Sequence, residues 1–226
     1  MVRATPVEVT TLSPFHYHSF VVPSGTATMT GFLADRSTAY ALANAMGALA
    51  ASPALPEKDY ARDLRALPWL FSMLESESNQ LLPPSGRRLN LDQEGGYGEK
   101  IQAATGTGNL KSWYFVQEVP PGTVYRGVVF GPDPFEFASE ATGAPIDDIV
   151  MRTGRHLGGL LRMTRGVATP KKIRLNAHTA MVFGDDLEDA DLSVEVFVLY
   201  DIQVTRPIGV ERAAAIVDRW RPDLAA

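Results

Sequence analysis

Two runs rich in β-branched and aromatic side chains, residues 7–11 and 16–22, come before any helix-forming segment. Pro14 separates them and Pro23-Ser-Gly25 closes the second, so the chain begins as two strands. An alanine-rich stretch, Ala39-Tyr-Ala-Leu-Ala-Asn-Ala-Met46, follows; its composition favours helix, and Asp35 or Ser37 is placed to cap it. A second helix is expected over 60–67, where Leu64 and Leu67 share a face, resuming over 69–74 after Pro68. Residues 79–110 carry Pro83-Pro84-Ser85-Gly86, Gly95-Gly96-Tyr97-Gly98 and Gly106-Thr107-Gly108, and read as a long loop with at most a short hairpin. Strand signals return at 112–116 and 124–130 around the turn Pro120-Pro121-Gly122. A short helix or turn at 146–150 leads into a basic loop, then a strand at 193–202 and a helix at 211–220 with Pro222 beyond it. Strands and helices segregated in this order make the fold class α+β rather than doubly wound.

With 226 residues the chain suits one domain, 1–226, long enough to bury a core without a disulfide or metal. Apolar side chains make up 45% of it and charged ones 21%, which excludes a wholly disordered chain. It has no cysteine, so neither a disulfide framework nor a thiolate metal site is available. No apolar run approaches the ~20 residues of a membrane span, and residues 1–6 lack a signal-peptide core. The expectation is a cytoplasmic protein with no membrane partner.

The net charge of −5 argues against nucleic acid only until it is resolved by position. Between Val150 and Arg174 lie Arg152, Arg155, Arg162, Arg165, Lys171, Lys172 and Arg174 with no acid among them. The remaining 14 basic residues face 26 acidic ones. Gly154, Gly158, Gly159 and Gly166, with His156, Thr153 and Thr164, occupy the same stretch. Glycines let a backbone approach a ligand, and its amides can join arginine forks around phosphate. The alternative is a solvated loop paired with the acidic run Asp185, Asp186, Glu188, Asp189 and Asp191.

Catalytic motifs are missing. The chain has no phosphate-binding lysine loop, no nucleophile elbow and no His-Glu-x-x-His, and Gly106-Thr-Gly108 lacks the third glycine of a dinucleotide fingerprint. His16 and His18 would share a strand face, but no third metal ligand lies nearby in sequence. The 185–191 acids do not match a calcium loop. His156 and His178 are general-base candidates without a motif partner. Trp113, Tyr114 and Phe115 have the chemistry to stack on bases, although strand aromatics more often belong to a core.

Several segments together resemble one family. Gly31-Phe-Leu-Ala-Asp-Arg-Ser-Thr-Ala-Tyr-Ala-Leu-Ala-Asn-Ala-Met-Gly47 resembles the first helix of Cas-five-type subunits of class 1 CRISPR effector complexes, of the type I-D kind or a type IV relative. Tyr60-Ala-Arg-Asp-Leu-Arg65 and the segment from Tyr125 to Gly131 are similar to elements of that family, and Met151-Arg-Thr-Gly-Arg-His-Leu-Gly-Gly-Leu-Leu-Arg162 resembles its Arg-Leu-Gly-Lys-type signature. These short motifs spread over about residues 5–200. The resemblance implies a RAMP protein: a ferredoxin-like, RRM-related sheet with two helices over about residues 1–120, elaborated by a β-rich part over about 121–226. It implies binding of the 5′ handle of the crRNA at one end of the backbone filament, for defence against viruses and plasmids. The implied partners are the Cas-seven-type backbone subunit, the large subunit and, through the complex, target DNA. The implied RNA contacts are Arg152, Arg155, His156, Arg162 and Arg165, extended by Lys171, Lys172 and Arg174. The Tyr, Lys and His set with which the type I-C branch cuts precursor RNA has no counterpart here, so a non-catalytic role without cofactor or metal is expected. Two other readings use the same residues: an endoribonuclease of the same fold built on His156, or an enzyme whose basic loop binds an anionic small molecule.

Overall fold

The computed structural model describes residues 1–16, 19–22, 25–47, 60–90, 111–153, 158–185, 187, 194–197 and 202–225. It is a mixed fold: five α-helices among the described residues and a curled antiparallel sheet. The mixed class follows the segregated strand and helix signals.

The main sheet is built around β1 (Ala4–Thr11), which alternates strictly between buried and half-exposed positions. Thr5, Val7, Val9 and Thr11 face the core; Pro6, Glu8 and Thr10 face the other side. Antiparallel neighbours flank it, β9 (Val124–Phe130) on one side and β11 (Gly159–Arg165) on the other. Beyond β11 lies β10 (Asp148–Thr153), the edge strand. Beyond β9 come two short pieces, β5 (Leu70–Phe71) and β6 (Leu74–Glu75), and then β4 (Phe32–Leu33) against β6. Helix α1 (Asp35–Ala45) touches both β5 and β10, strands near opposite margins of the sheet. The small side chains of Ala39, Ala41 and Ala43 let it sit close beneath the curl.

A second sheet has the order β2 (Ser19–Val22), β3 (Gly25–Thr28), β8 (Lys111–Gln117), β7 (Ser85–Asn90), with β3 and β8 parallel. Two small ladders complete the strands: β12 (Lys172–Ile173) with β15 (Ile208–Gly209), and β13 (Val194–Phe197) with β14 (Ile202–Thr205). The other helices are α2 (Tyr60–Ala66), α3 (Pro134–Thr142), α4 (Ala177–Val182) and α5 (Val210–Trp220), followed by a 3-10 turn at Pro222–Ala225.

Several expectations are corrected. Residues 69–74 are not resumed helix: Pro68 stops α2, and the chain enters two short strands, β5 paired with β9 and β6 paired with both β9 and β4. The turn expected at 146–150 and the basic loop after it are the hairpin β10–β11, with Ile149, Met151, Leu161 and Met163 alternating into the core. The single strand over 193–202 is two antiparallel strands, β13 and β14. The loop expected over 79–110 contains strand β7; residues 91–110 lie outside the described part. Neither Asp35 nor Ser37 caps α1. Ser37 donates to the Ala34 carbonyl, and Asp35 is a buried first-turn residue that accepts from Asn176 Nδ2 (2.7 Å) and from the Thr179 hydroxyl, tying α1 to α4.

Candidate nucleic-acid interface

The sheet is covered unevenly. At its β5–β6 end, four consecutive β9 residues, Gly127 to Phe130, are buried, so both faces are packed. Over β10, β11, β1 and the first residues of β9, only alternate residues are buried, and the outward face meets solvent. Pairing register arranges that face in rungs. The central rung runs Val124, Thr10, Arg162, Val150 across β9, β1, β11 and β10. One neighbouring rung pairs Leu160 with Arg152, and the Leu12 amide bonds the Leu160 carbonyl beside it. The rung on the other side runs Glu75, Arg126, Glu8, Thr164, Asp148.

Charge differs between the rungs. Arg126 Nε donates to Glu8 at 3.1 Å, but with Glu75, Glu8 and Asp148 against one arginine that rung is acidic overall. Arg152 and Arg162 are exposed, and among the described residues neither meets a carboxylate. They sit diagonally on adjacent strands, roughly 7–8 Å apart. Between and around them lie the hydroxyls of Thr10 and Thr164 and the apolar Val150, Leu12 and Leu160. Two guanidinium forks beside hydroxyls and short apolar side chains can take phosphate oxygens and sugar surface at once.

The other basic residues of the segment go elsewhere. Arg165 ends β11 on the core-facing side of the sheet, lies over the Phe135 ring (4.8 Å to its centroid) and is ion-paired to Asp133. Asp133 is buried; it caps α3 by accepting from the Phe135 and Glu136 amides and is met also by Arg3 at 2.9 Å. Arg174 is half-buried, lies 3.4 Å from Glu75 and donates to the Thr205 carbonyl. Its own carbonyl accepts from Met73, which places 171–174 beside β6, roughly 19 Å along the sheet from β10. Lys171 and Lys172 are exposed there. Arg155 and His156 lie outside the described residues. The basic segment, continuous in sequence, thus supplies one exposed pair on the sheet face, one latch and one group at the far margin.

The glycines divide similarly. A Cβ on Gly159 would come within 2.9 Å of Phe15 and the Thr153 carbonyl, and one on Gly166 within 3.2 Å of Pro6 and Val7; both glycines admit their own chain. Gly158 is exposed and its carbonyl accepts from Ser13; Gly154 lies outside the described residues. His16 is buried with Nδ1 3.8 Å from Glu118; His18 lies outside the described part, and no group of three metal-ligating side chains occurs among the described residues. His178 sits in the first turn of α4, where its amide donates to Asn176. Of the acidic run, Asp185 accepts from Trp220 Nε1 at 2.8 Å and from Arg219 at 3.3 Å, and the Leu187 amide also reaches it. Burial would raise the Asp185 carboxyl, but these donors together hold it below the usual range. Asp186, Glu188, Asp189 and Asp191 lie outside the described residues. Phe115 is exposed on β8 between Gly25 and Gly86 of the adjoining strands; nothing is described of the Trp113 and Tyr114 side chains. No described helix is long and apolar enough to cross a membrane.

Residue-type counting picks out Thr164 but not Thr10 and Arg126. Their signal was the alternation in β1, β9 and β11, which sends every second residue to one face. No protein-family model matches the chain, and no curated protein matches it.

Proposed function

We propose that this protein is a non-catalytic RNA-binding subunit of a CRISPR effector complex, one that holds the 5′ handle of the crRNA at an end of a filament of Cas-seven-type subunits. The observation that carries the reading is the exposed sheet face on which Arg152 and Arg162 stand without carboxylate partners, beside Thr10 and Thr164. Single-stranded RNA is held by such combinations of phosphate grip and sugar contact. The strand order β11-β1-β9-β5, with α1 between β1 and β5 and α3 after β9, supports a ferredoxin-like unit at the centre of the fold. Departures from that plan include β10, inserted between α3 and β11, and the second-sheet strands β2, β3, β7 and β8. In this reading the acidic remainder of the surface meets basic protein neighbours, the backbone filament and the large subunit, and reaches the target DNA only through them.

The test is direct. Co-expressed with its operon neighbours, the protein is expected to carry RNA of uniform length, and a soluble assembly free of RNA overturns the proposal. For the purified chain, Arg162→Ala and Arg152→Ala should each flatten the dependence of log affinity on log salt by about 0.7 per lost phosphate contact. An unchanged slope assigns those arginines to a protein neighbour instead.

A further inference from the structure

The central rung ends at Val124, and Val124 is also a wall of a groove of about 280 Å³. Ser76, Ser78 and Gln80 line it together with Pro120, Pro121 and Arg126. From Arg162 to Val124 is two strand spacings, about 10 Å. A short single strand anchored at Arg162 and laid along the rung therefore enters the groove.

The chemistry of the lining says which part of that strand fits. Glu77 also lines the groove, and Arg126 is already matched to Glu8, so a bare phosphate finds little net positive charge there. What the groove offers is neutral hydrogen bonding. Ser76 Oγ accepts from the Ser78 amide (3.1 Å) and Ser78 Oγ from the Gln80 amide (3.4 Å), which leaves both hydroxyl protons to donate. The Gln80 side-chain amide is exposed and, among the described residues, has no partner. Its two donors and one acceptor, with the Glu77 carboxylate as a further acceptor, match a hydroxyl that both gives and takes a hydrogen bond. Thr123 is not part of this set, because its hydroxyl donates to Pro120 within the loop. The two proline rings add an apolar surface for a sugar or base edge to the lining.

We propose that this groove receives the ribose and base edge of one nucleotide of a strand whose phosphates lie on the Arg162 face, and that it selects RNA over DNA through the 2′-hydroxyl. The inference rests on the nucleic-acid reading of the sheet face and adds the discrimination that two arginines alone do not supply. Phosphate contacts carry no information about the sugar, whereas the 2′-hydroxyl is the group by which a protein separates the two polymers.

The experiment measures affinity of the full chain for a single-stranded RNA oligonucleotide and for DNA of the same sequence, across a salt series. The unaltered protein should bind the RNA roughly threefold to tenfold tighter, the scale of one or two neutral hydrogen bonds. Gln80→Ala should bring that ratio towards one with its salt slope unchanged. Ser78→Ala, with a thermal midpoint checked against the parent, should move it the same way. Arg162→Ala should weaken both polymers alike, lower the slope and leave the ratio intact. Equal affinity for RNA and DNA in the unaltered protein overturns the groove assignment, as does an unchanged ratio in Gln80→Ala, while the Arg162 result still upholds the sheet face. Binding of neither polymer overturns both.

Discussion

Arginines in this chain do different work according to what surrounds them, and Arg221 is the strongest contrast to the sheet-face pair. It is buried, and its Nη1 donates to the Leu64 and Leu67 carbonyls at 2.7 and 3.0 Å. Those carbonyls lie at the end of α2 and just beyond it, where the helix has no amide left to offer them. Nε and Nη2 hold Asp223 at 2.8 and 2.6 Å, so one guanidinium closes α2 and fixes the turn after α5. Arg221→Met removes the charge-assisted donors and leaves buried carbonyls unpaired. It should cost about 3 kcal/mol, seen as a lower urea midpoint at constant m. A loss below about 1 kcal/mol would mean that water reaches those carbonyls. RNA affinity of the folded variant should be unchanged. Arg165 is of the same kind, spent on Asp133 and Phe135, which is why a count of basic residues overstates the ligand-facing set.

The elements take their shape from a few backbone devices. Phe71 pairs with Val129 and Glu75 with Arg126, so three residues, 72–74, face two, 127 and 128: a β-bulge. Ser72 repairs the ladder there, its amide donating to the Val128 carbonyl and its Oγ accepting from the Val128 amide at 3.1 Å. The Met73 amide points away from β9 and donates to the Arg174 carbonyl instead, while its side chain stays buried. Gly127 makes the bulge possible, because a Cβ on it would lie 2.5 Å from Leu74 Cδ2 and 2.6 Å from Ser72 Oγ. Gly127→Ala should therefore lower stability by about 1–3 kcal/mol, read as a drop in thermal midpoint, even though alanine suits a strand's backbone angles. No change in midpoint would mean the bulge relaxes freely. The same device hid these residues in the sequence: an alternation interrupted after Phe71 and preceded by Pro68 reads as continued helix. Helix α3 was legible and overlooked, with Asp133 at its cap, Pro134 in its first turn and Gly143 at φ +71 closing it. The alternation of Ile149, Met151 and Thr153 was equally present, yet seven positive charges drew the eye to composition. The two opening strands, α1, β8, β9 and α5 were plain because their signals are local. The rungs were not, because two of the three pairings that join their four strands link residues over 100 apart and no local pattern encodes them.

For the whole molecule, three exposed or half-exposed carboxylates set the response to acid. Hydrogen bonding from Arg3 holds Glu136 below its ordinary value, and hydrogen bonding from Arg221 does the same for Asp223. Asp185 is lowered by its donors against the opposing effect of burial. A carboxyl whose folded pKa is depressed contributes stability that is complete above its unfolded value, about 4, and is lost as pH falls through the lower folded value. The thermal midpoint should therefore fall as pH drops below about 4. Asp223→Asn should start lower at neutral pH and fall less steeply; identical acid limbs would show that Asp223 carries no part of it. None of these three carboxylates stands on the rung of Arg162, so the contacts that fail first in acid are separate from that rung. The uneven cover of the sheet extends this separation to inheritance. Where β9 is packed on both sides, nearly every substitution meets a neighbour; where β10 and β11 show one open face, alternate positions are exposed or half-exposed. A lineage can rewrite those outward residues, and with them what the protein prefers to hold, while the half that keeps it folded stays as it was.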